Sequence, residues 1–405
     1  MTEPKPTPHP HKPIGGTNLE FARSHNRRAV LEVVRRAGVI SRADIARQTA
    51  LTLQTISNIV DELERTGLLS AGKPLRGARG QPSIPYTINP QGGWSIGVHL
   101  ARHSVIAVLA DLTGQPIASR DIAASPSNPA VTLPIVLTLM QDLMAEADVP
   151  LERCLGIGIA LPTRFDLGSL STAGPTGLPG WSNAVEREAF RNALPVPVFI
   201  ENDAVAAAIG ERLYGVAREI ESFVLLFLDD GLGAGLFLGG QPFKGSFSNA
   251  GELGHMIVDP GGKACPCGNR GCLERYVSLS AAFECLEIAP ESTNADELDR
   301  LALAEPERLA GWLQEAGPRL SIATNVLEMV LDPETIIIAG LASETVIDLL
   351  IESANPLPVS VGARHNRPFP RLMAGRVGRQ STAFGAAALP VFDEMNPRFD
   401  VLLKG

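Results

Sequence analysis

Residues 251–274, GELGHMIVDPGGKACPCGNRGCLE, place Cys265, Cys267 and Cys272 in a run punctuated by glycines, with His255 ten residues upstream. Glycine-rich chain is costly to order and offers little apolar surface to bury. Such a stretch takes one shape only if something other than a core holds it. Three thiolates and one imidazole complete a tetrahedral zinc shell. That shell leaves no position open to water, so the Zn2+ is expected to be structural and to supply the ordering energy the glycines cannot. The alternative is three reduced, unligated cysteines. A disulfide framework fits poorly. The cysteine count of five is odd, and the first 16 residues, MTEPKPTPHPHKPIGG, lack the apolar core of an export signal. Cys154 and Cys285 read as ordinary buried residues.

The chain has 405 residues, 45% hydrophobic and 20% charged, which predicts roughly two to four domains and a large core. No apolar run reaches ~18–20 residues, which argues against a membrane-spanning helix. A cytoplasmic protein with no membrane partner is expected. The net charge of −9 excludes a uniformly basic coat for nucleic acid. It also hides an asymmetry. Residues 1–90 hold 13 Lys and Arg against 7 Asp and Glu, a net +6, which leaves −15 for residues 91–405. A basic head on an acidic body suggests one domain for a polyanion and one for something else, although plain solvated faces would give the same totals.

Pattern favours the first reading. Residues 24–37 carry Ala29, Val30, Val33, Val34 and Ala37 at helical spacing, and Gly38 ends that helix. Ser41, three residues before Asp44, is a predicted N-cap for a short helix with Ile45 and Ala46 facing in. A tight turn at Ala50-Leu51 follows. Thr52 then caps a longer helix with Leu53, Ile56, Ile59, Val60 and Leu63 on one face, stopped by Gly67. Two helices joined this way form a helix-turn-helix. Its second helix would present Gln54, Thr55, Ser57 and Asn58 to base edges in a major groove, with Thr52 and Arg42 near the duplex. KPLRGARGQPS before PYTINP reads as a wing, with Arg76 and Arg79 suited to phosphates or a narrow minor groove. A helical bundle used for oligomerisation would explain the apolar faces. It would not explain short polar residues outward at the recognition position.

A winged helix-turn-helix is thus expected over 17–90, after a disordered tail at 1–16. Beyond Gly92-Gly93, strands are expected near 95–100, 104–110, 155–160, 196–200, 222–228, 234–238 and 335–339. Helices are expected near 130–147, 203–213, 278–289, 306–330, 343–354 and 381–394. Paired strands followed by strands with crossover helices predict an α/β body with mixed sheets. The body, 91–405, should divide into two lobes, roughly 91–200 plus 380–405 and 201–379, with a cleft between them.

The Cys-x-Cys-Gly-x-x-Gly-Cys-x-Glu run after Gly-Glu-x-Gly-His resembles the signature of the ROK family of sugar-responsive repressors and sugar kinases. The resemblance covers nearly the whole chain. It implies an actin-like, RNase H-like two-lobed ATPase fold behind the winged helix-turn-helix. It also implies that Glu252, His255 and Glu274 contact sugar hydroxyls, and that Asn202 and Asp203, in Glu201-Asn202-Asp203, do so too. His255 would bind zinc through one ring nitrogen and turn the other to the ligand. Carboxylates accept strong bonds from hydroxyls, and Asn both donates and accepts. The alternative for Glu252 and Glu274 is ordinary loop acids, which the motif context outweighs.

The motifs that would hold ATP depart from the family pattern. In Ile96-Gly97-Val98-His99-Leu100-Ala101-Arg102-His103, His99 stands for an Asp, Ala101 for a Gly and His103 for a Thr. In Asp229-Asp230-Gly231-Leu232-Gly233-Ala234-Gly235, two carboxylates stand where phosphate would sit, and like charge opposes an anion there. Ala339-Gly340 replaces a Gly-Gly pair. Pro162-Thr163-Arg164 stands for Pro-Gly-Pro, and Arg164 either reaches the cleft or pairs with Asp166. The resemblance therefore implies a sugar-responsive regulator, by default a repressor. It would be a dimer or tetramer on double-stranded operator DNA, with no enzymatic activity. A sugar kinase with an appended DNA-binding head is the alternative. A third is a body that only pairs the heads.

Overall fold

A computed structural model describes residues 19–74, 83–101, 104–162, 178–288, 295–362, 366–378 and 380–397. The tail 1–16, the wing arginines Arg76 and Arg79, His103 and the segment around Arg164 lie outside the described residues. Two compact units divide the chain: residues up to Asn89 together with Asp393 onward, and Pro90–Phe392.

In the first unit, α1 (Leu19–Ala37), α2 (Arg42–Thr49) and α3 (Leu53–Arg65) enclose Val30, Leu31, Val34, Ile45, Ile56 and Leu63. The Ser41 hydroxyl accepts the Asp44 amide at 3.3 Å, and the Thr52 hydroxyl accepts the Thr55 amide at 3.2 Å. Both caps are the ones the sequence predicts, because each satisfies an orphan first-turn donor. A small antiparallel sheet, in the order β1 (Ile40–Ser41), β3 (Pro85–Ile88), β2 (Leu69–Ala71), completes the unit. Two sequence expectations need correction. α1 starts at Leu19 rather than near 24, and it buries Leu31 while Ala37 is exposed. Leu53 is 60% exposed rather than on the inner face. It opens α3 directly after the cap, beyond the stripe that Ile56, Ile59, Val60 and Leu63 bury.

The second unit holds two five-stranded sheets among the described residues. The first contains β4 (Trp94–Leu100), β5 (Ser104–Asp111), β6 (Pro116–Ala123), β7 (Cys154–Leu161) and β8 (Val198–Asn202), in the order β6-β5-β4-β7-β8. The second contains β9 (Phe223–Leu228), β10 (Leu232–Leu238), β11 (Gln241–Pro242), β12 (Thr335–Gly340) and β13 (Leu372–Val377), in the order β11-β10-β9-β12-β13. Both follow one plan: an antiparallel meander, then two strands parallel to its first strand. Crossover helices connect the parallel strands. These are α4 (Pro129–Ala147) and α5 (Ala184–Asn192) in the first half, and α7 (Leu279–Cys285), α8 (Ala295–Ala304), α9 (Ala310–Leu331) and α10 (Glu344–Ser353) in the second.

The last helix of each half covers the other half's sheet. α6 (Asp203–Tyr214) leaves β8 of the first sheet and packs on β9 and β10 of the second. α11 (Ser381–Met395) leaves β13 and packs on β4 and β7, where the Ser95 hydroxyl donates to the Ala387 carbonyl at 2.7 Å. Gly97 and Gly158 let this helix lie directly on the strands: a Cβ on either would strike the backbone of Ala383, Ala386 or Ala387. α6 and α11 cross at Gly210 and Gly385, where a Cβ on Gly210 would stand 2.9 Å from the Gly385 Cα.

α4 bears on the membrane expectation. Its 18-residue window reaches a mean hydropathy of 1.3, so by length and composition it could cross a membrane. Here it packs Val136, Leu139, Met140 and Leu143 into the core of the first sheet.

A buried ion cluster fixes the far edge of the second half. Glu328 on α9 accepts from Arg367 at 2.7 Å, and from Arg371 at 2.9 and 2.6 Å. Burial alone would raise the Glu328 pKa, but the two guanidiniums outweigh it and hold the carboxyl below its usual range. The stability this contributes is present above the ordinary Glu value and is lost as pH falls below it. Glu328→Ala strands two arginines and is expected to cost about 3–5 kcal/mol, read as a lower thermal midpoint at pH 7. The deficit should narrow on acidification.

Candidate functional site

The zinc-loop residues converge. One donor atom from each of His255, Cys265, Cys267 and Cys272 lies within 4.8 Å of the other three. Cys267 Sγ and Cys272 Sγ are 3.6 Å apart, and Cys265 Sγ is 3.6 Å from His255 Nδ1. Zn–S bonds of about 2.3 Å at tetrahedral angles put ligand atoms roughly 3.8 Å apart, so the donor set fits Zn2+. The loop is shaped to present it. The Cys265 amide donates to the Asn269 carbonyl at 2.9 Å, and the Gly268 amide to the Cys265 carbonyl at 3.0 Å. Gly271 sits at φ +76, and a Cβ there would strike the Asp259 carbonyl. Tyr276 anchors the base: its hydroxyl donates to Asp259 at 2.9 Å and accepts the Lys263 amide at 3.0 Å.

His255 connects this cluster to the acids. Glu274 Oε1 stands 3.4 Å from His255 Nδ1 and accepts from Cys265 Sγ at 3.3 Å. Glu252 lies on the other side of the ring, 3.9 Å from Nε2. Asp203, at the first position of α6, is 6% exposed. Burial, aided by the Glu252 charge, pushes its carboxyl up to about 6, while the Ala204 amide and the Asn202 side chain pull it down. Asn202 caps α6, and its Oδ1 accepts the Ala204 amide at 3.0 Å. Its side chain also hydrogen-bonds the Asp203 carboxyl. Glu201 beside it pairs with Lys244. Asn202, Asp203, Glu252, His255 and Glu274 therefore form one electrostatically connected series, leading from the start of α6 to the cysteine loop.

A second convergence was not anticipated. His99 at the end of β4, Asp203, and Asp229 just after β9 bring donor atoms within 4.8 Å of one another. Burial, then the Asp230 and Asp203 charges, push the Asp229 carboxyl up to about 8.

On the first unit, α3 exposes Gln54 and Asn58 and half-exposes Thr55 and Ser57. Gln54 donates to Asn58 at 3.1 Å, and the Thr52 and Thr55 hydroxyls are 2.8 Å apart. Arg42 is committed within the fold. Its guanidinium donates to Asp61 at 2.5 Å and to the Tyr86 hydroxyl at 2.7 Å, which ties α2 to α3 and β3.

Residues 95–391 match the ROK family, and residues 23–70 match a winged helix-turn-helix DNA-binding family. The chain belongs to the ROK family. A xylose repressor of Bacillus subtilis is 24% identical over 372 residues, 92% of this chain and 96% of that protein. The Escherichia coli K12 transcriptional dual regulator NagC is 27% identical over 269 residues, 66% and 65% of the two chains. In structure, a ROK transcriptional regulator described as a homologue of E. coli MLC superposes with a TM-score of 0.70 at 25% identity. The match covers 95% of this chain and all of that one. A ROK hexokinase of Thermus thermophilus reaches 0.57 at 26% identity over 73% of this chain and 97% of its own.

Within this ROK chain, sequence reasoning missed two features of the site. Leu53 offers an exposed apolar group beside Gln54, Thr55, Ser57 and Asn58 of α3; its place right after the Thr52 cap was the signal. His99 was read only as the loss of an Asp. Its side-chain type also fits it to a group of donors that could hold a metal.

Proposed function

We propose that this ROK protein is a sugar-responsive DNA-binding repressor. The observation that carries the reading is one chain joining a capped recognition helix with outward polar residues to a body bearing the Asn202, Asp203, Glu252, His255 and Glu274 series. In this reading Gln54, Thr55, Ser57 and Asn58 meet base edges, and Leu53 meets a thymine methyl. Arg76 and Arg79 meet phosphates, and Arg42 steadies the recognition helix. Two copies of the head read a pseudo-palindromic operator. The acid series accepts sugar hydroxyls. His255 Nδ1 and the three cysteines would hold a structural Zn2+ that fixes the loop, leaving Nε2 toward Glu252 and the ligand. The names of the relatives support a carbohydrate effector.

The test is a DNA site selected from random sequence, followed by anisotropy titration with D-xylose, N-acetylglucosamine and glucose. One sugar is expected to weaken DNA binding five- to 150-fold, a coupling of about 1–3 kcal/mol, and DNA must weaken that sugar by the same factor. No response to any sugar would leave the body as a device for pairing the heads. Asn58→Ala is expected to cost about 1–3 kcal/mol on the selected site and to relax preference at one base position. An equal loss on all sequences would remove Asn58 from the readers.

Asp203 favours a second reading. A buried carboxyl near pH 6 suits a general base toward a sugar hydroxyl, as a sugar kinase would need. Turnover of ATP and a hexose above about 1 s−1, absent in Asp203→Asn, would establish that reading in place of the first.

A further inference from the structure

We propose that His99, Asp203 and Asp229 form a second cation site, separate from the cysteine loop, that holds one divalent transition ion such as Mn2+ or Zn2+ between the two sheets of the body. The three donors come from three elements: the end of β4, the first position of α6 and the turn after β9. One imidazole nitrogen and two carboxylate oxygens lie within 4.8 Å of one another. Two ligands on one ion with bonds of about 2.1 Å stand roughly 3–4.2 Å apart, so modest side-chain rotation brings all three onto one centre.

Burial supplies the second argument. His99 is fully buried and Asp203 is 6% exposed. The charges that act on Asp203 and Asp229 are those of other acids, Glu252 on the first and Asp230 and Asp203 on the second, and each carboxyl accepts a backbone amide at 2.7 Å. A carboxylate taken out of water, as that of Asp203 is, must be paired, protonated or bound to a metal. A mixed nitrogen and oxygen set favours Mn2+ or Zn2+ over Mg2+ or Ca2+, which prefer oxygen alone. Three protein ligands leave coordination positions for water. His99 and Asp229 close the first strand of each sheet, so the ion joins equivalent ends of the two halves.

Mn2+ is the probe. The full chain, carrying its loop metal, is titrated with MnCl2 while free Mn2+ is followed by electron paramagnetic resonance. One Mn2+ per chain is expected, displaced by Zn2+. Asp229→Asn and His99→Gln should each weaken it about 100-fold or more, at least the cost of losing an outer-shell partner. Zinc content and the circular dichroism spectrum should not change in either variant. Asp229→Asn serves if His99→Gln fails to fold, because Asp229 sits on a turn at partial exposure. No bound Mn2+, or binding unaltered in both variants, would overturn the proposal.

Discussion

Cys267→Ser is expected to purify with almost no zinc, to lose its response to sugar and to keep its affinity for DNA. Cys267 Sγ and Cys272 Sγ face each other at 3.6 Å, and His255 and Cys265 complete the set. Removing one of the four ligands leaves a shell that no longer closes. Structural zinc supplies about 10–16 kcal/mol in small domains, and that energy orders the loop. His255 and Glu274 lose their fixed places with it, since Glu274 lies 3.3 Å from Cys265 Sγ. The winged head belongs to a separate compact unit, so its fold should survive. Elemental analysis together with anisotropy on operator DNA, with and without sugar, reads all three outcomes. Full zinc content in the variant would contradict the ligand assignment. Sugar response without zinc would separate the loop from the effector site.

Gly158→Val should prevent the body from folding. The first β-carbon alone would strike the Ala386 carbonyl oxygen, and the rest of the side chain has nowhere to go. The neighbour is helical backbone, which cannot swing aside as a side chain does. Ordinary overpacking costs about 1–3 kcal/mol; a clash with helix backbone should exceed about 4–5 kcal/mol. Gly239→Ala is the control. It sits at φ +58 with nothing within 4 Å of an added Cβ, so only left-handed strain of about 1–2 kcal/mol applies. Soluble yield and thermal unfolding should separate the two variants sharply. A Gly158→Val protein with a near-normal melting curve would mean that α11 does not lie on β7 as described.

What could be read from the sequence follows how each element is buried. β4, β7, β9 and β12 are buried along nearly their whole length and stand out as apolar runs. β6 reads PIASRDIA, buries little beyond Ala118 and lies at a sheet edge, so it gives no such run. β13 carries Gly375 and Arg376 within six residues and is hidden for the same reason. α5 and α8 are short and half-polar. The caps at Ser41 and Thr52 were legible because their chemistry is local. The cysteine cluster was legible because its donors are near in sequence. The grouping of His99, Asp203 and Asp229 was not: more than a hundred residues separate the first from the other two, and only the meeting of two sheets brings them together. The glycines at 97 and 158 look like any others until the helix that crosses them is in place.

The exchanged helices have a consequence for how the protein is made. Every strand of the first sheet has been synthesised once Asn202 is added, yet the helix that roofs its glycine face begins at Ser381. Throughout synthesis of the second half, that face has no lid of its own. Premature termination anywhere in the later stretch would release a chain with an adhesive flank, a ready client for chaperones and proteases.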